Sequence, residues 1–181
     1  MIFKKWLEYC GMDQKVIRRI TKNAIMLAML CVIGMIALPL GDNIKVSLQL
    51  LMVFIIGLTA SSVFDSLIVT SLYLLLGLFM PIYAGFQAGI TPTFGFVISF
   101  VVIVIPLYFL NKLPIKNQFF RISIACAVAL IICYFIGTLF LALYLKIGIN
   151  KALLVAVVPY IPFDIAKIVI ANLIVSLLPK H

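Results

Sequence analysis

Apolar residues occur along this chain in long runs, which short polar or basic segments separate. Runs of this length are typical of membrane-spanning helices, each of which needs about 20 mainly apolar residues. The pattern predicts six spans, at 23–40, 46–63, 66–80, 92–110, 122–145 and 152–178. The segment 66–111 has no Asp, Glu, Lys, Arg or His, which strengthens the assignment of the two spans within it.

The first twenty residues follow a different pattern. Trp6 and its apolar neighbours recur at helical spacing, with lysines between them, which indicates a short interfacial helix. Asp13 is placed to cap the helix that leads into the first span. The predicted organisation is thus an amphipathic segment at 1–20 and a six-span membrane domain at 21–181. The segment either anchors the chain at the membrane surface or docks to a partner.

Composition supports the membrane assignment. Of the 181 residues, 66% are hydrophobic and 10% are charged, whereas a soluble domain has roughly 45–50% apolar and about 25% charged residues. Such a chain cannot cover a globular surface with polar side chains, and a soluble enzyme is excluded. The fold class predicted is an all-α polytopic membrane protein, a compact six-helix bundle. The four cysteines form no CxxC pair and are interpreted as small core residues.

The net charge of +9 is unevenly distributed. Ten cationic residues fall on the side of the two termini: Lys4, Lys5, Lys15, Arg18, Arg19, Lys22, Lys112, Lys116, Arg121 and Lys180. Only Lys45, Lys146 and Lys151 fall on the other side. Because cytoplasmic loops are rich in Lys and Arg, both termini are predicted to be cytoplasmic, in the cell membrane. The cations therefore follow the bilayer, and a nucleic-acid partner is not predicted.

Asp164 and Lys167 are the strongest chemical signal, because apolar sequence flanks them on both sides. Ionisable residues inside spans are costly and usually face a cavity, a partner or a substrate. Their spacing places them on one helical face. Pro159 and Pro162 predict that the regular part of the last helix starts near Pro162, with Asp164 in its first turn and in the outer half of the bundle. The alternative is an internal ion pair that only packs two helices.

The connection at 81–91 lies on the same outer side and is rich in small residues. Gly85, Gln87 and Gly89 belong to it, and it is either a lid that lines a pocket or a simple turn between helices. Gln49, an amide early in the second span, is either a ligand contact or a hydrogen bond between helices.

Three further residues are predicted at the cytoplasmic end. Ala24 and Ala28 form a small-xxx-small face that allows another helix to approach closely, although packing within the chain would give the same pattern. Asp65, between the second and third spans, is interpreted as a helix cap.

No sequence motif for catalysis is present. The chain has no nucleotide-binding loop, paired-histidine helix or nucleophile elbow, and its one histidine is His181. Neither a catalytic residue nor a metal site is predicted. A stand-alone secondary transporter should show broken helices in both halves, but only the last span has a double-proline break. A membrane-embedded enzyme using Asp164 as a base would lack a second carboxylate at membrane depth.

Several short motifs, taken in order, resemble the BioY family, the substrate-binding S components of energy-coupling factor (ECF) vitamin transporters. The motifs are AIMLA at 24–28, VSLQ at 46–49, YLLLGL at 73–78, the stretch 84–96, and IPFDIAK at 161–167. The resemblance covers roughly residues 20 to 178.

The resemblance implies a six-helix unit that captures biotin from outside. It also implies a membrane-embedded coupling (T) subunit and two cytoplasmic ABC-type ATPases, so that hydrolysis belongs to partner chains and this chain holds no cofactor. The family's coupling face falls on Ala24 and Ala28. Its binding residues fall on Asp164 and Lys167 and on the outer loop at 84–95. With Gln49, the predicted substrate-binding set is completed by Gly85, Gln87, Gly89, Thr93 and Gly95.

The sequence departs from the family pattern where the substrate is expected. TPTFGF stands at 91–96 in place of a GPTGGY pattern, and Lys45 replaces a usual proline. Two glycines and a phenolic hydroxyl are lost, which predicts a bulkier and more apolar pocket. Lipoate, a carboxylate with an apolar dithiolane, is therefore the alternative to biotin.

Overall fold

The computed structural model describes residues 13–39 and 45–178. Its helices are α1 (Gln14–Met35), α2 (Gln49–Thr59), α3 (Val63–Phe79), α4 (Phe94–Leu110), α5 (Gln118–Leu145), α6 (Ile149–Ala156) and α7 (Ile161–Leu177). A short hairpin of β1 (Ala37–Pro39) and β2 (Lys45–Ser47) joins α1 to α2. Most of the predicted interfacial segment, including Trp6, lies outside the described residues.

Polar side chains define three of the helix starts. Asp13, Ser62 and Asn117 each accept a hydrogen bond from a backbone N–H two residues further on, at the starts of α1, α3 and α5. These bonds satisfy N–H groups that the helix itself leaves without partners. The prediction that Asp13 caps the first helix is confirmed.

The predicted second span is corrected, whereas the predicted break of the sixth span, with a regular helix that starts near Pro162, is confirmed. The second begins as strand β2, and only Gln49–Thr59 is helical, a length of about 16 Å. The sixth is divided into α6, a 3-10 turn at Val158–Tyr160, and α7. Proline lies within the first turns of both the 3-10 helix and α7. Since proline cannot continue an α-helix from its interior, the break follows directly from the sequence.

Helix α2 is the centre of the bundle. Nine of its eleven residues are buried, including its polar first residue Gln49, and it packs against α1, α4 and α7. A helix that is apolar on every side is typical of such a core position. The surrounding helices therefore share one core built on α2.

Helices α4 and α5 approach each other closely because each presents a glycine to an aromatic ring of the other. A Cβ atom added at Gly95 would lie 2.2 Å from Cβ of Phe140, and one added at Gly137 would lie 2.3 Å from the ring of Phe96. Helices in lipid associate mainly through such packing, since lipid tails are as apolar as the side chains.

The outer surface of the bundle is strongly apolar. Phe64, Phe79, Phe135 and Leu177 are each 70% or more exposed, which in water would leave apolar surface of a kind that soluble proteins avoid. Two helical stretches, Gln118–Leu145 and Ile149–Leu177, are long and apolar enough to cross a membrane, and α2, α3 and α4 are shorter apolar helices. The chain has the surface of a membrane protein.

The cysteines of the described ranges are free thiols. Cys126 and Cys133 are buried and Cys31 is half-buried, as expected for small core residues. Cys10 lies outside the described residues.

Candidate functional site

The predicted ion pair is present near the start of α7. Nζ of Lys167 donates to Oδ1 of Asp164 at 2.7 Å, and both residues are buried, at 6% and 3% exposure. Asp164 lies in the first turn of the helix, as predicted, where the helix dipole favours an anion.

Tyr134 on α5 completes this cluster. Its hydroxyl donates to Oδ2 of Asp164 at 2.5 Å, so each carboxylate oxygen has a protein partner. Tyr134 is not among the site residues predicted from the sequence. The available signal was its position within a long apolar span, because a buried tyrosine hydroxyl usually needs a hydrogen-bond partner. We call Asp164, Lys167 and Tyr134 the α7 cluster.

The ammonium of Lys167 keeps donor capacity. It carries three N–H bonds, and Asp164 is its one acceptor among the described residues. A buried cation of this kind favours an acceptor oxygen from a ligand, because an N–H without a partner inside a protein is costly. The α7 cluster can therefore hold a polar or anionic group.

Gln49 belongs to a different network. Its Nε2 atom donates to the hydroxyl of Tyr73 on α3, and that hydroxyl donates to the carbonyl oxygen of Ile82 at 3.0 Å. Ser47 donates to the amide oxygen of Gln49 at 3.3 Å. Of the two sequence interpretations, this geometry matches the hydrogen bond between helices; a ligand contact by Gln49 stays a prediction.

The outer loop at 81–93 is fixed to the helices at several points. The hydroxyl of Tyr83 donates to the carbonyl of Leu74 at 2.6 Å, and burial raises the pKa of this phenol to about 12. The backbone N–H of Gly89 donates to the carbonyl of Gly77 at 2.9 Å. A Cβ atom at Gly77 would lie 2.0 Å from the Tyr83 ring. A loop with these anchors is a packed wall of the bundle.

The backbone conformation at Gly85 and Gly89 favours glycine. Their φ angles are 73° and 75°, in the left-handed region that glycine adopts at least cost. The N–H of Gly85 also donates to the carbonyl of Met35 at the end of α1, at 3.1 Å. Gln87 pairs through its backbone with Tyr83, and its side chain is exposed.

Thr93 and Gly95 lie where the loop enters α4. Thr93 is exposed and its hydroxyl lies 3.1 Å from that of Thr91. Gly95 is buried against Phe140 and serves the contact between α4 and α5. The bulky Phe94 that departs from the family pattern packs between Tyr83 and Phe140.

The structure thus separates the predicted site residues into two groups. Gln49 and the loop residues are joined through Tyr73 and Ile82. The α7 cluster contacts α5 at Tyr134, about 9 Å deeper along that helix than Phe140, which the loop end contacts. No described hydrogen bond connects the two groups.

At the opposite end of the bundle, Ala24 and Ala28 are exposed on α1. The two alanines therefore do not pack against another helix among the described residues. Their role in binding a partner stays a prediction.

The interpretation of Asp65 as a helix cap is wrong. Ser62 caps α3, whereas Asp65 is buried and accepts hydrogen bonds from Nε of Arg19 at 2.7 and 2.8 Å and from Asn23 at 2.8 Å. Asp65 thus ties α3 to α1. Its position three residues after Ser62 gives no sign of this in the sequence.

Metal chemistry has no support in the described ranges. They contain no group of three or more His, Cys, Asp or Glu residues placed to hold a metal ion.

Comparison with known proteins points to one family. A sequence model of the BioY family matches residues 6–181. A biotin transporter BioY from Thermotoga maritima is 31% identical over 168 residues, which cover 90% of this chain and 96% of that protein. A biotin transporter BioY from Rhodobacter capsulatus is 26% identical over 91% of this chain and 94% of its own length. These names describe transport and not a reaction.

The fold has also been seen in a solved structure. The chain is similar to the S-component for biotin from an ECF-type ABC transporter, known from a crystal structure at 2.1 Å, with a TM-score of 0.77. The match covers 91% of this chain and 92% of that one, at 23% identity. The predicted fold class, a compact helical membrane bundle, is confirmed.

Proposed function

This chain belongs to the BioY family, and on that premise we propose that it is the substrate-capture subunit, or S component, of an ECF-type importer of biotin. It binds the vitamin from outside, and separate subunits hydrolyse ATP. The observation that carries the proposal is the α7 cluster, a buried cation and anion on one turn of a helix in an apolar bundle.

Lys167 supplies the cation for the ligand. Biotin has acceptor oxygens at both ends, a carboxylate and a ureido carbonyl, and the free donors of Lys167 suit either. Such charge-assisted hydrogen bonds typically contribute about 1.5–3 kcal/mol. The cost of burying the ammonium is offset by Asp164 before the ligand arrives.

Asp164 and Tyr134 position that cation. Both carboxylate oxygens of Asp164 already have protein partners, which favours a holding role over that of the main ligand acceptor. A carboxylate has further lone pairs, so a ureido N–H of biotin can still be accepted beside Tyr134.

The remaining predicted residues form the outer wall. Gln49 fixes Tyr73 beneath the loop, and Gly85 and Gly89 give the loop its shape. Gln87 and Thr93 are exposed and free to contact an entering ligand, whereas Gly95 sets the spacing of α4 and α5.

Lipoate has no observation in its favour. The sequence at 91–96 predicted a bulkier pocket, but Phe94 packs between Tyr83 and Phe140, and Phe96 packs against Gly137. The bulk is used in helix packing, and the relatives are named for biotin.

Calorimetric titration of the purified protein with biotin, lipoate and biotin methyl ester tests the substrate. Biotin should bind at least about tenfold more tightly than lipoate, the equivalent of one hydrogen bond from the ureido ring. If the methyl ester binds weakly, Lys167 contacts the carboxylate of biotin. If the ester binds as tightly as biotin, Lys167 contacts the ureido oxygen. Equal binding of lipoate and biotin would contradict the proposed substrate.

The orientation follows from charge. Arg19, Lys22 and Arg121 gather at the end of the bundle that holds the helix ends near Thr59 and Asn111, and cytoplasmic ends attract such residues. We assign both termini and this end to the cytoplasm, with α1 to α5 and the α6–α7 pair as six crossings.

Labelling of the variant Ala88→Cys tests this orientation, because Ala88 is an exposed residue of the outer loop. An impermeant thiol reagent should label the variant from outside and not from the cytoplasm, with the native chain as control.

The coupling subunit binds α1 in this proposal. Ala24 and Ala28 are exposed one turn apart, and small residues let a second helix approach closely. The two ATPases attach through the coupling subunit, so the absence of an ATP-binding motif in this sequence fits the division of labour.

Substitution with tryptophan tests the coupling face. Ala28→Trp should abolish co-purification with the coupling subunit and uptake of biotin, while biotin binding by the isolated protein stays unchanged. Ala127→Trp is the matched control, because Ala127 is an exposed alanine on α5. Normal assembly of Ala28→Trp, or loss of assembly in both variants, would contradict the assignment.

A further inference from the structure

A cleft of about 460 Å³ opens at the end of the bundle assigned above to the cytoplasm. Its polar wall comes from two helices and a helix end: Lys22 on α1, Asn111 after α4, and Gln118 and Arg121 on α5. We call it the basal cleft. It lies at the opposite end from the outer loop and takes no part in the biotin site.

The basal cleft carries positive charge that no described carboxylate balances. Lys22 and Arg121 line it, and none of the acidic residues at 13–39 or 45–178 does. Within residues 13–39 and 45–178, Asp65 and Asp164 are held in ion pairs with other residues, and Asp13 caps α1. A fixed pair of cations in a partly desolvated cleft favours an anion.

Arg121 has most of its donors available. Its Nε atom donates to Oδ1 of Asn111 at 3.3 Å, which orients the guanidinium, and its Nη atoms have no acceptor among the described residues. Nζ of Lys22 donates to the carbonyl of Thr59 at 2.6 Å and keeps further N–H bonds. A planar guanidinium beside an ammonium is a donor set that suits phosphate oxygens.

The other wall of the basal cleft is apolar. It is formed by Met26, Leu58, Val175 and Leu178, so a charged rim and an apolar wall face the same space. A free phosphate would leave that wall unused, whereas a lipid fills both halves. Basic pockets between membrane helices on the cytoplasmic side bind anionic headgroups, since that leaflet carries anionic lipid.

The basal cleft and the coupling face are on opposite sides of α1. Successive residues of an α-helix are rotated by about 100°, so residues two apart point about 200° away from each other. Lys22 and Met26 are therefore directed away from Ala24 and Ala28, and they are half-buried whereas the two alanines are exposed. A ligand in the cleft and a coupling subunit on α1 can bind together.

We propose that the basal cleft is a binding site for an anionic phospholipid, whose phosphate is held by Arg121 and Lys22 and whose acyl chain lies along Met26, Leu58 and Val175. The inference rests on the orientation proposed above. A lipid in this position ties α1, α4, α5 and α7 together at their cytoplasmic ends.

Thermal unfolding of the purified chain in detergent tests the site. The midpoint is measured with added phosphatidylglycerol, phosphatidylcholine or inorganic phosphate. Phosphatidylglycerol should raise the midpoint in proportion to the logarithm of its concentration, and the other two additives should not. Equal stabilisation by both lipids, or by phosphate alone, would overturn the proposal.

Variants of Arg121 locate the effect. Arg121→Gln should weaken the half-saturating response to phosphatidylglycerol about tenfold or more, and Arg121→Lys should recover part of it because the charge is restored. Lys116→Gln, a change at an exposed lysine near the same end, should respond like the native chain.

Biotin titrations on the same samples separate this inference from the proposed function. Biotin affinity should be equal in the native chain and in Arg121→Gln. An undiminished phosphatidylglycerol response in Arg121→Gln, or an equal loss in Lys116→Gln, would overturn the lipid site while biotin binding stands.

Discussion

Two ion pairs of the same length lie at opposite ends of this bundle. Lys167 and Asp164 are 2.7 Å apart near the start of α7, and Arg19 and Asp65 are 2.7 Å apart between α1 and α3. The first pair is three residues apart on one helix, whereas the second joins positions 46 residues apart. The second pair itself joins distant parts of the chain, whereas the first is hydrogen-bonded to another helix through Tyr134.

Exposure separates the pairs further. The side chains of Lys167 and Asp164 are 8% and 5% exposed, while those of Arg19 and Asp65 are 46% and 5% exposed. A partly exposed arginine loses little hydration and is screened by solvent, so its pair costs little and contributes modestly. A fully buried pair within one helix is weak as a source of stability. The proposed ligand role gives this pair a reason to be buried that a gain in stability does not.

Removing the buried cation should have the largest effect. Lys167→Ala should weaken biotin binding by about ten- to a hundredfold, because a charge-assisted hydrogen bond of about 1.5–3 kcal/mol is lost. The same change leaves Asp164 as a buried anion whose remaining hydrogen-bond partner is Tyr134. The loss of the compensating charge should also lower the unfolding midpoint. Calorimetric titration and thermal unfolding measure the two effects.

The double variant Asp164→Asn with Lys167→Met separates binding from folding. It removes both charges, so that no buried ion is left without a partner, and it should fold with near-native stability. Biotin binding should still be weak. Native affinity in this variant would mean that the pair only packs α5 against α7.

Breaking the pair at the other end should act on stability alone. Asp65→Asn should cost about 1–2 kcal/mol of folding free energy, a value reduced for the exposure of Arg19. Biotin affinity should be unchanged. Arg18→Gln, at an exposed arginine beside Arg19, is the control, because it removes one charge at the same end of the bundle without breaking the pair. A large loss of biotin binding in Asp65→Asn would show that the two ends are coupled.

The smallest effect is expected from the positioning residue Tyr134. Tyr134→Phe removes one hydrogen bond to Asp164 and leaves Lys167 in place, so biotin binding should weaken by about three- to tenfold. Tyr108→Phe, at the other end of the bundle, should have no effect on biotin binding. A loss as large as that of Lys167→Ala would mean that the tyrosine hydroxyl itself contacts biotin.

The α7 cluster was partly predictable from sequence, because its cause is local. Two prolines fix where the helix starts, and helical spacing then places Asp164 and Lys167 on one face. The third member, Tyr134, comes from another helix 30 residues away. No local rule selects it from the other aromatic residues of its span.

The second span also shows that sequence patterns do not reveal contacts between distant parts of the chain. An apolar run predicted this span, but its start is a strand that pairs with the end of the predicted first span. Hydropathy does not record such a contact. Likewise, the sequence alone does not reveal that Gln49 donates to Tyr73, because this hydrogen bond depends on how α2 meets α3.

By itself, the sequence determined the membrane class, the broken last helix and the position of a buried charge pair. Each of these follows from composition or from residues within a turn or two, where propensity and hydrophobicity act directly. The tertiary structure decided that Tyr134 completes the α7 cluster, that Asp65 clamps α1 to α3, and that Phe94 serves packing. These depend on which faces meet when α2 is buried at the centre, and such contacts are set by packing between helices distant in sequence.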